Sequence, residues 1–397
     1  MICRARPQYI ERKYSKKELL DNSIFKNSFY KNRYYFTRGS YSLQFILDCY
    51  KNYLNKKLRV GVQSFTCVSV LEAILNSGNI ACLYDVSIDD CSIDFESIKP
   101  EHELDVLIIT HYQGIPNKSY EKIAIFCKEN NIFLIEDCSH GVQSKINGKK
   151  IGSLSNIYIE SYAWDKPYTS LTGGAFVINN TKPEFKTFLN NEFLKISVEK
   201  KRKALSDIKT IYWLLSYTTP ENYYEDIDYS IFFTKSFLRY FYCFLLGKNS
   251  FYRKLFLFIY KCINRVHKSK KLTLQRLNPV KISFIEKQRN IAEVNDLSFD
   301  KPAYLDDLKG LTFFENDSSH IQWNRYSFIA NDEQTLAFIK SKGIQAGHFN
   351  WPVCLHQIGK NNSIDLCLMT SFNNSEYLSK HIINMPLWYN SEKNNDE

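Results

Sequence analysis

The stretch from Asn131 to Asn180, NIFLIEDCSHGVQSKINGKKIGSLSNIYIESYAWDKPYTSLTGGAFVINN, constrains the fold of this chain more than any other. The apolar run Ile132 to Ile135 stops at Glu136-Asp137. Apolar residues in succession, without alternation, read as a strand buried on both faces, as in a parallel sheet. The acid at its end then stands where open α/β sheets bind ligands. Two further apolar runs, Ile157 to Tyr162 and Ala175 to Ile178, enclose a turn-rich segment that carries Lys166. That lysine also hangs at a strand end, so Asp137 and Lys166 can converge on one ligand.

An acid and a lysine converging at strand ends are what a pyridoxal phosphate site requires. The cofactor takes electrons from a substrate carbon into its ring, and does so best when the ring nitrogen is protonated and faces a carboxylate. Asp137 is placed for that pairing. A lysine amine holds the cofactor covalently, is displaced by the incoming amine, and then moves the proton between substrate and cofactor carbons. Lys166 is placed for both tasks.

The segment resembles the DegT-type (DegT/DnrJ/StrS) nucleotide-sugar aminotransferases, a branch of the fold type I pyridoxal phosphate enzymes. Their strand-acid motif, EDAAQ or EDCAH, is matched by Glu136-Asp137-Cys138-Ser139-His140, and their lysine motif, SFHPTKNLTTGEGG, is matched without a gap by SYAWDKPYTSLTGG. By this resemblance His140 contacts the cofactor's ring hydroxyl and Ser161 its phosphate. Arg38-Gly39-Ser40, followed by the helical run Leu43, Phe45, Ile46 and Cys49, resembles the SGT element, so Gly39 and Ser40 inherit phosphate binding at a helix N-terminus. GVQSFTCVSVLEAI parallels PSFTFVATANAI, the strand ending at Asp85 has its counterpart, and THYQGIP matches VHLYGQP. Near the C-terminus SKGIQAGHFNWPVCLHQ resembles ERGIETRVHYPPLHLQ, with His348, Trp351, Pro352 and His356 in register, and NMPLWYN echoes SLPLHP.

The resemblance implies an aspartate aminotransferase-like α/β fold: a doubly wound, mostly parallel sheet with a smaller C-terminal α/β domain. It implies a homodimer that transfers an amino group, from glutamate, to a keto sugar nucleotide in surface glycan synthesis. Dehydratases of the family replace the lysine with histidine, so Lys166 implies transamination. The sequence also departs from the pattern. Cys67 stands where the family has a ring-stacking aromatic, Leu171-Thr172 replace Gly-Glu, Arg38 replaces a serine and Glu160 an apolar residue. These changes point to altered cofactor affinity or substrate choice, or to a degenerate member acting as a membrane-bound scaffold. Asn278 is the one counterpart of the asparagine that the partner subunit lends to the phosphate.

At 397 residues the chain exceeds one ordinary core. The expected division is a cofactor-binding domain over 1–204, a helical insert over 205–276, a small domain over 277–390 that uses the amphipathic stretch Asp332 to Lys342, and a polar tail over 391–397. Eleven scattered cysteines, odd in number and without a CxxC pair, suggest reduced thiols in the cytoplasm and neither a metal site nor a disulfide framework. The N-terminus is charged throughout, unlike a signal peptide.

Charge is concentrated in one place. Between Ile231 and Lys271 lie ten Lys/Arg residues and no Asp or Glu, which accounts for the whole net charge of +10. Aromatic residues and leucines interleave with the basic ones, and the apolar runs are too broken for a span of about 20 residues. The segment suits peripheral contact with the inner face of an anionic membrane. Packing of two helices on the catalytic domain is the alternative; nucleic-acid binding is the least economical reading beside the enzyme motifs.

Overall fold

The computed structural model describes residues 29–217, 274–294, 309–314, 319–341 and 351–385. The basic segment 231–271, His348 and the tail 391–397 lie outside the described residues. Among the described residues the largest element is a sheet of nine strands in the order β1-β2-β10-β9-β6-β5-β3-β4-β14. These are β1 (Phe29–Tyr30), β2 (Arg33–Phe36), β3 (Arg59–Gln63), β4 (Ile80–Tyr84), β5 (Val106–Thr110), β6 (Phe133–Asp137), β9 (Ile157–Ser161), β10 (Gly174–Ile178) and β14 (Cys367–Leu368). From β9 to β14 neighbouring strands are parallel, whereas β10, β2 and β1 pair antiparallel.

The apolar runs become strands because both faces of the sheet are covered. Val106 and Ile108 of β5 pack into one cluster with Leu43, Ile46 and Leu47 of helix α1 (Gly39–Leu54). Leu107 and Ile109, on the other face, pack with Tyr120 and Ile123 of helix α3 (Tyr120–Glu129), while helix α2 (Val68–Asn76) joins the α1 side. Alternate residues of one strand thus serve two cores, the hallmark of a doubly wound sheet. Helix α4 (Pro183–Lys195) extends the α1 side, where Phe193 closes on Phe36 and Phe45.

A smaller antiparallel sheet joins β11 (Leu311–Phe313), β13 (Tyr326–Ala330) and β15 (Ile382–Met385). A third sheet pairs β12 (Ser319–His320) with the hairpin β7 (Lys145–Ile146) and β8 (Lys149–Lys150). The amphipathic stretch at 332–342 forms helix α7 (Glu333–Ser341). Helices α8 (Leu355–Asn361) and α9 (Asn373–His381) follow. Helices α5 (Lys201–Tyr217) and α6 (Pro279–Val294) touch through Tyr212 and Phe284. Leu277, Ile282 and Ile285 are buried against Tyr35, Tyr162 and Tyr168 of the large sheet and its loops, and β14 adds to β4. Among the described residues no helix is long and apolar enough to cross a membrane.

Candidate active site

The C-terminal ends of β5, β6 and β9 open onto a cavity of about 240 Å3. Thr110, Asp137 and Ser161 line it from the strand ends, Gly39 and Ser40 from the start of α1, Cys67 and Ser69 from the start of α2, and His140, Asp165, Lys166 and Trp351 from loops. All six residues expected from the sequence, Gly39, Ser40, Asp137, His140, Ser161 and Lys166, therefore meet at one place. A wider groove of about 880 Å3 lies at the opposite ends of the strands and holds none of them.

Two helices begin at this cavity, and neither N-terminus is capped by a side chain or carries an acid in its first turn. Their first backbone N–H groups are directed along the axis toward the cavity, with the helix dipole favouring an anion. Close approach makes this possible. A Cβ on Gly174 would lie 2.3 Å from Gly39 Cα, and one on Gly39 would lie 3.3 Å from Ser161 Cβ. Glycines at both positions bring the start of α1 against β9 and β10, so that the Ser161 hydroxyl adjoins the Gly39 backbone.

Asp137 is buried, and one carboxylate oxygen accepts the Ser139 N–H at 3.0 Å. Burial pushes its pKa above the usual carboxylate range, with Ser139, Lys166 and His111 opposing that shift. A cation at the cavity would relieve this cost. Glu136, the preceding residue, points to the opposite face and is saturated. It accepts from Gly152 N–H at 2.6 Å, Ser155 N–H at 3.0 Å, Tyr120 OH at 3.1 Å and His111 Nε2 at 3.0 Å. Because His111 Nδ1 accepts the Asn117 N–H at 3.2 Å, its proton sits on Nε2. His111, Glu136 and Cys138 bring ligand-type atoms within 4.8 Å of one another, yet the ring nitrogens and carboxylate oxygens are committed to these hydrogen bonds.

His140 lies beside the acid. Burial, and then the Lys166 charge, hold its pKa well below the ordinary histidine value, so the ring is neutral. Its Nδ1 accepts the Gln113 N–H at 3.1 Å, which assigns the proton to Nε2 and makes that atom a donor. Trp351 stacks on the ring with centroids 5.5 Å apart and 19° between planes. Lys166 Nζ lies 3.6 Å from the Asp165 carboxylate.

The departures from the family pattern find physical reasons here. Glu160 points away from the cavity and pairs with Arg289 Nη1 at 2.9 Å and Arg33 Nε at 3.3 Å, with Tyr162 OH donating to it as well. Thr172 accepts from Lys281 of α6 at 2.9 Å. Leu171 takes the left-handed backbone, φ +68°, where the family has glycine. Asn278 is used within its own chain: its amide donates to Glu199 O at 2.8 Å and accepts the Val280 N–H at 3.1 Å. Cys67 does line the cavity, and the nearest aromatic wall is Trp351, which comes from a distant segment.

Sequence reasoning missed Ser69, Thr110 and Asp165 and gave Trp351 no role. A hydroxyl just before an apolar helical run, as at Ser69, and an acid adjoining the lysine were the available signals. Trp351 reaches the cavity only through tertiary packing on Phe65, Tyr112 and His140.

The profile of the DegT/DnrJ/EryC1/StrS aminotransferase family matches residues 35–202. A UDP-4-amino-4,6-dideoxy-N-acetyl-beta-L-altrosamine transaminase of Campylobacter jejuni is 32% identical over 96 residues, covering 24% of this chain and 25% of that protein. A GDP-perosamine synthase of Vibrio cholerae is 25% identical over 121 residues, covering 30% and 33%. The chain thus spans only a quarter to a third of the length of these curated relatives. In solved structures the likeness is longer. The sugar aminotransferase CalS13 from Micromonospora echinospora superposes with a TM-score of 0.62 at 12% identity, over 99% of this chain and 96% of that one. Helicobacter pylori PseC gives 0.59 at 15%, over 97% and 93%. The fold is that of the fold type I pyridoxal phosphate enzymes. The DegT/DnrJ/EryC1/StrS family profile thus matches the part of the chain, residues 35–202, that holds all six of the expected site residues.

Proposed function

We propose that this protein is a pyridoxal phosphate-dependent aminotransferase that moves an amino group from glutamate to a keto group of a nucleotide-linked sugar, working as a dimer in the cytoplasm. The observation that carries the proposal is the convergence of a buried carboxylate, a lysine and two uncapped helix N-termini on one cavity. The cavity's chemistry fits the cofactor at three points. The starts of α1 and α2, with Ser40, Ser69 and Ser161, suit a phosphate; Asp137 suits a protonated pyridine nitrogen; and His140 Nε2 suits a ring oxygen.

When bound, pyridoxal phosphate supplies an electron sink for the carbon that loses its proton. Lys166 would hold it covalently and, once displaced, carry the proton between the reacting carbons with Nζ. Asp137 would keep the ring nitrogen protonated, because its own charge is buried and only partly offset by Ser139, Lys166 and His111. Neutral His140 would donate without adding a charge, and Trp351 would narrow the water-accessible volume over the site. The likeness to the family and to the relatives named above supports the amino acceptor class.

The experiment is a panel of keto-sugar nucleotides incubated with glutamate and cofactor, read by the mass change of the sugar. The protein should absorb in the visible when loaded, and Lys166→Ala should lose both that band and turnover while keeping its fold, since a loop lysine contributes little packing. Turnover by Lys166→Ala equal to the parent would refute the assignment.

A further inference from the structure

The loop carrying Lys166 is fixed from behind by residues of α6 that no motif announces. Gln288 is fully buried and grips Thr169 at both ends: Nε2 donates to Thr169 O at 2.8 Å, and Oε1 accepts the Thr169 N–H at 2.9 Å. Two turns earlier on the same helix face, Lys281 is also fully buried. Its Nζ donates to Thr172 Oγ1 at 2.9 Å and is itself held by Asp207 at 2.7 Å and Glu199 at 3.3 Å. The next residue after Gln288, Arg289, lays its guanidinium 5.1 Å over the Tyr168 ring. Between the two gripped threonines lies Leu171, in the left-handed region at φ +68°, with its N–H donated to Thr169 Oγ1 at 3.0 Å.

A leucine does not adopt that backbone unaided. It persists where the surroundings over-determine it, and here the grip on either side does so. Resting on the reading of the site proposed above, we infer that Gln288 and Lys281 are positioning residues that set where Lys166 Nζ stands, acting through Thr169 and Thr172. Neither side chain lines the cavity. The replacement of Gly-Glu by Leu171-Thr172 then has a partner on α6: Thr172 supplies the acceptor that Lys281 uses, and the grip holds the strained leucine.

Two variants test this while sparing the helix packing. Gln288→Met keeps volume and removes both hydrogen bonds to Thr169, along with the one from Nε2 to Phe284 O within the helix; Thr172→Val removes one acceptor and leaves the Lys281–Asp207–Glu199 cluster whole. In the cofactor-free protein, amide exchange over residues 167–173 should rise about tenfold in each, against unchanged exchange in β5 and β6. In the protein loaded with pyridoxal phosphate, the pH midpoint of the visible band should shift, and kcat should fall about tenfold with KM for glutamate nearly constant. A role confined to stability would lower the melting temperature and leave the pH midpoint where it is in the parent, and that result would overturn the inference. If Gln288→Met does not fold, Thr172→Val decides alone. A parent that binds no pyridoxal phosphate would sink the functional reading instead, with the exchange measurement still reporting on the grip.

Discussion

Adding one methyl group to Gly174 separates the structural from the binding role of the close-packed glycines. The Cβ of Gly174→Ala would stand 2.3 Å from Gly39 Cα, 2.3 Å from Gly39 N and 2.7 Å from Arg38 C. These are backbone atoms and cannot swing aside. Carbon contacts relax near about 3.5–4.0 Å, so the first turn of α1 has to retreat by more than about 1 Å. Overpacking costs about 1–3 kcal/mol, and contact with backbone places this case near about 3 kcal/mol, a fall of roughly 5 °C or more in Tm. A retreat of about 1 Å also carries the helix N–H groups out of hydrogen-bonding range of a phosphate. Losing two charge-assisted bonds at about 1.5 kcal/mol each weakens pyridoxal phosphate binding by about a hundredfold. Gly39→Ala is the control. Its methyl meets Glu160 O and Ser161 Cβ at 3.3 Å and Ser161 Oγ at 3.5 Å, tight by only a few tenths of an ångström. Alanine is also the better helix former, by about 0.5–1 kcal/mol. That variant should keep its Tm and lose affinity, because the methyl occupies the anion cradle. The assays are thermal unfolding of the cofactor-free protein and a spectrophotometric cofactor titration. Parent-like Tm in Gly174→Ala refutes the packing argument, and parent-like affinity in Gly39→Ala refutes the cradle.

Asp137→Asn should bind some cofactor and lose at least about a hundredfold in kcat, since a neutral amide does not hold the pyridine proton; undiminished turnover counts against that role. Glu160 is held by Arg289 and Arg33 against the cost of burial, which brings its pKa down to about 2 from an ordinary 4.5. With the folded value below the unfolded one, its stabilisation of about 3 kcal/mol is present above pH 4.5 and is lost as pH falls toward 2. Glu160→Gln should therefore cost about 3–5 kcal/mol at neutral pH and flatten the acid limb of the Tm profile. Liposomes of anionic lipid should bind the protein at low salt through residues 231–271, and Lys268, Lys270 and Lys271→Glu should weaken binding without altering turnover; no binding at low salt leaves the segment as a packing element.

The motif residues were legible because strand ends and helix starts place them locally. Once Ile132 to Ile135 is a buried strand, Asp137 is at its edge and His140 in the following loop, and the fourteen residues around Lys166 fix a strand, a turn and a strand. What could not be read is what packs behind. Glu160 looked like an intrusion among apolar residues until Arg33 and Arg289, 127 and 129 residues away, came to face it. Gln288 and Lys281 sit in a helix whose pattern shows only amphipathicity. For the same reason the apolar face of α6 could not be assigned to Tyr35, Tyr162 and Tyr168, since helix periodicity does not say against which sheet that face lies.

The pairing of β14 with β4 bears on how the molecule is made. Asp85, just after β4, donates its N–H to Thr370 Oγ1 at 2.8 Å across 285 residues, and its carboxylate accepts the Asn374 N–H at 3.0 Å and the Ser375 N–H at 2.8 Å. During synthesis at about 5–20 residues per second, β4 therefore waits roughly 15–60 s for its edge partner. Throughout that interval a buried parallel strand shows open N–H and C=O groups on one side, the kind of edge that recruits other nascent chains. Slower translation after Tyr84 or a deletion at Cys367 to Leu368 should therefore appear first as lost soluble yield, before any change in the cofactor site itself. A holdase that shields strand edges would restore the former but not the latter.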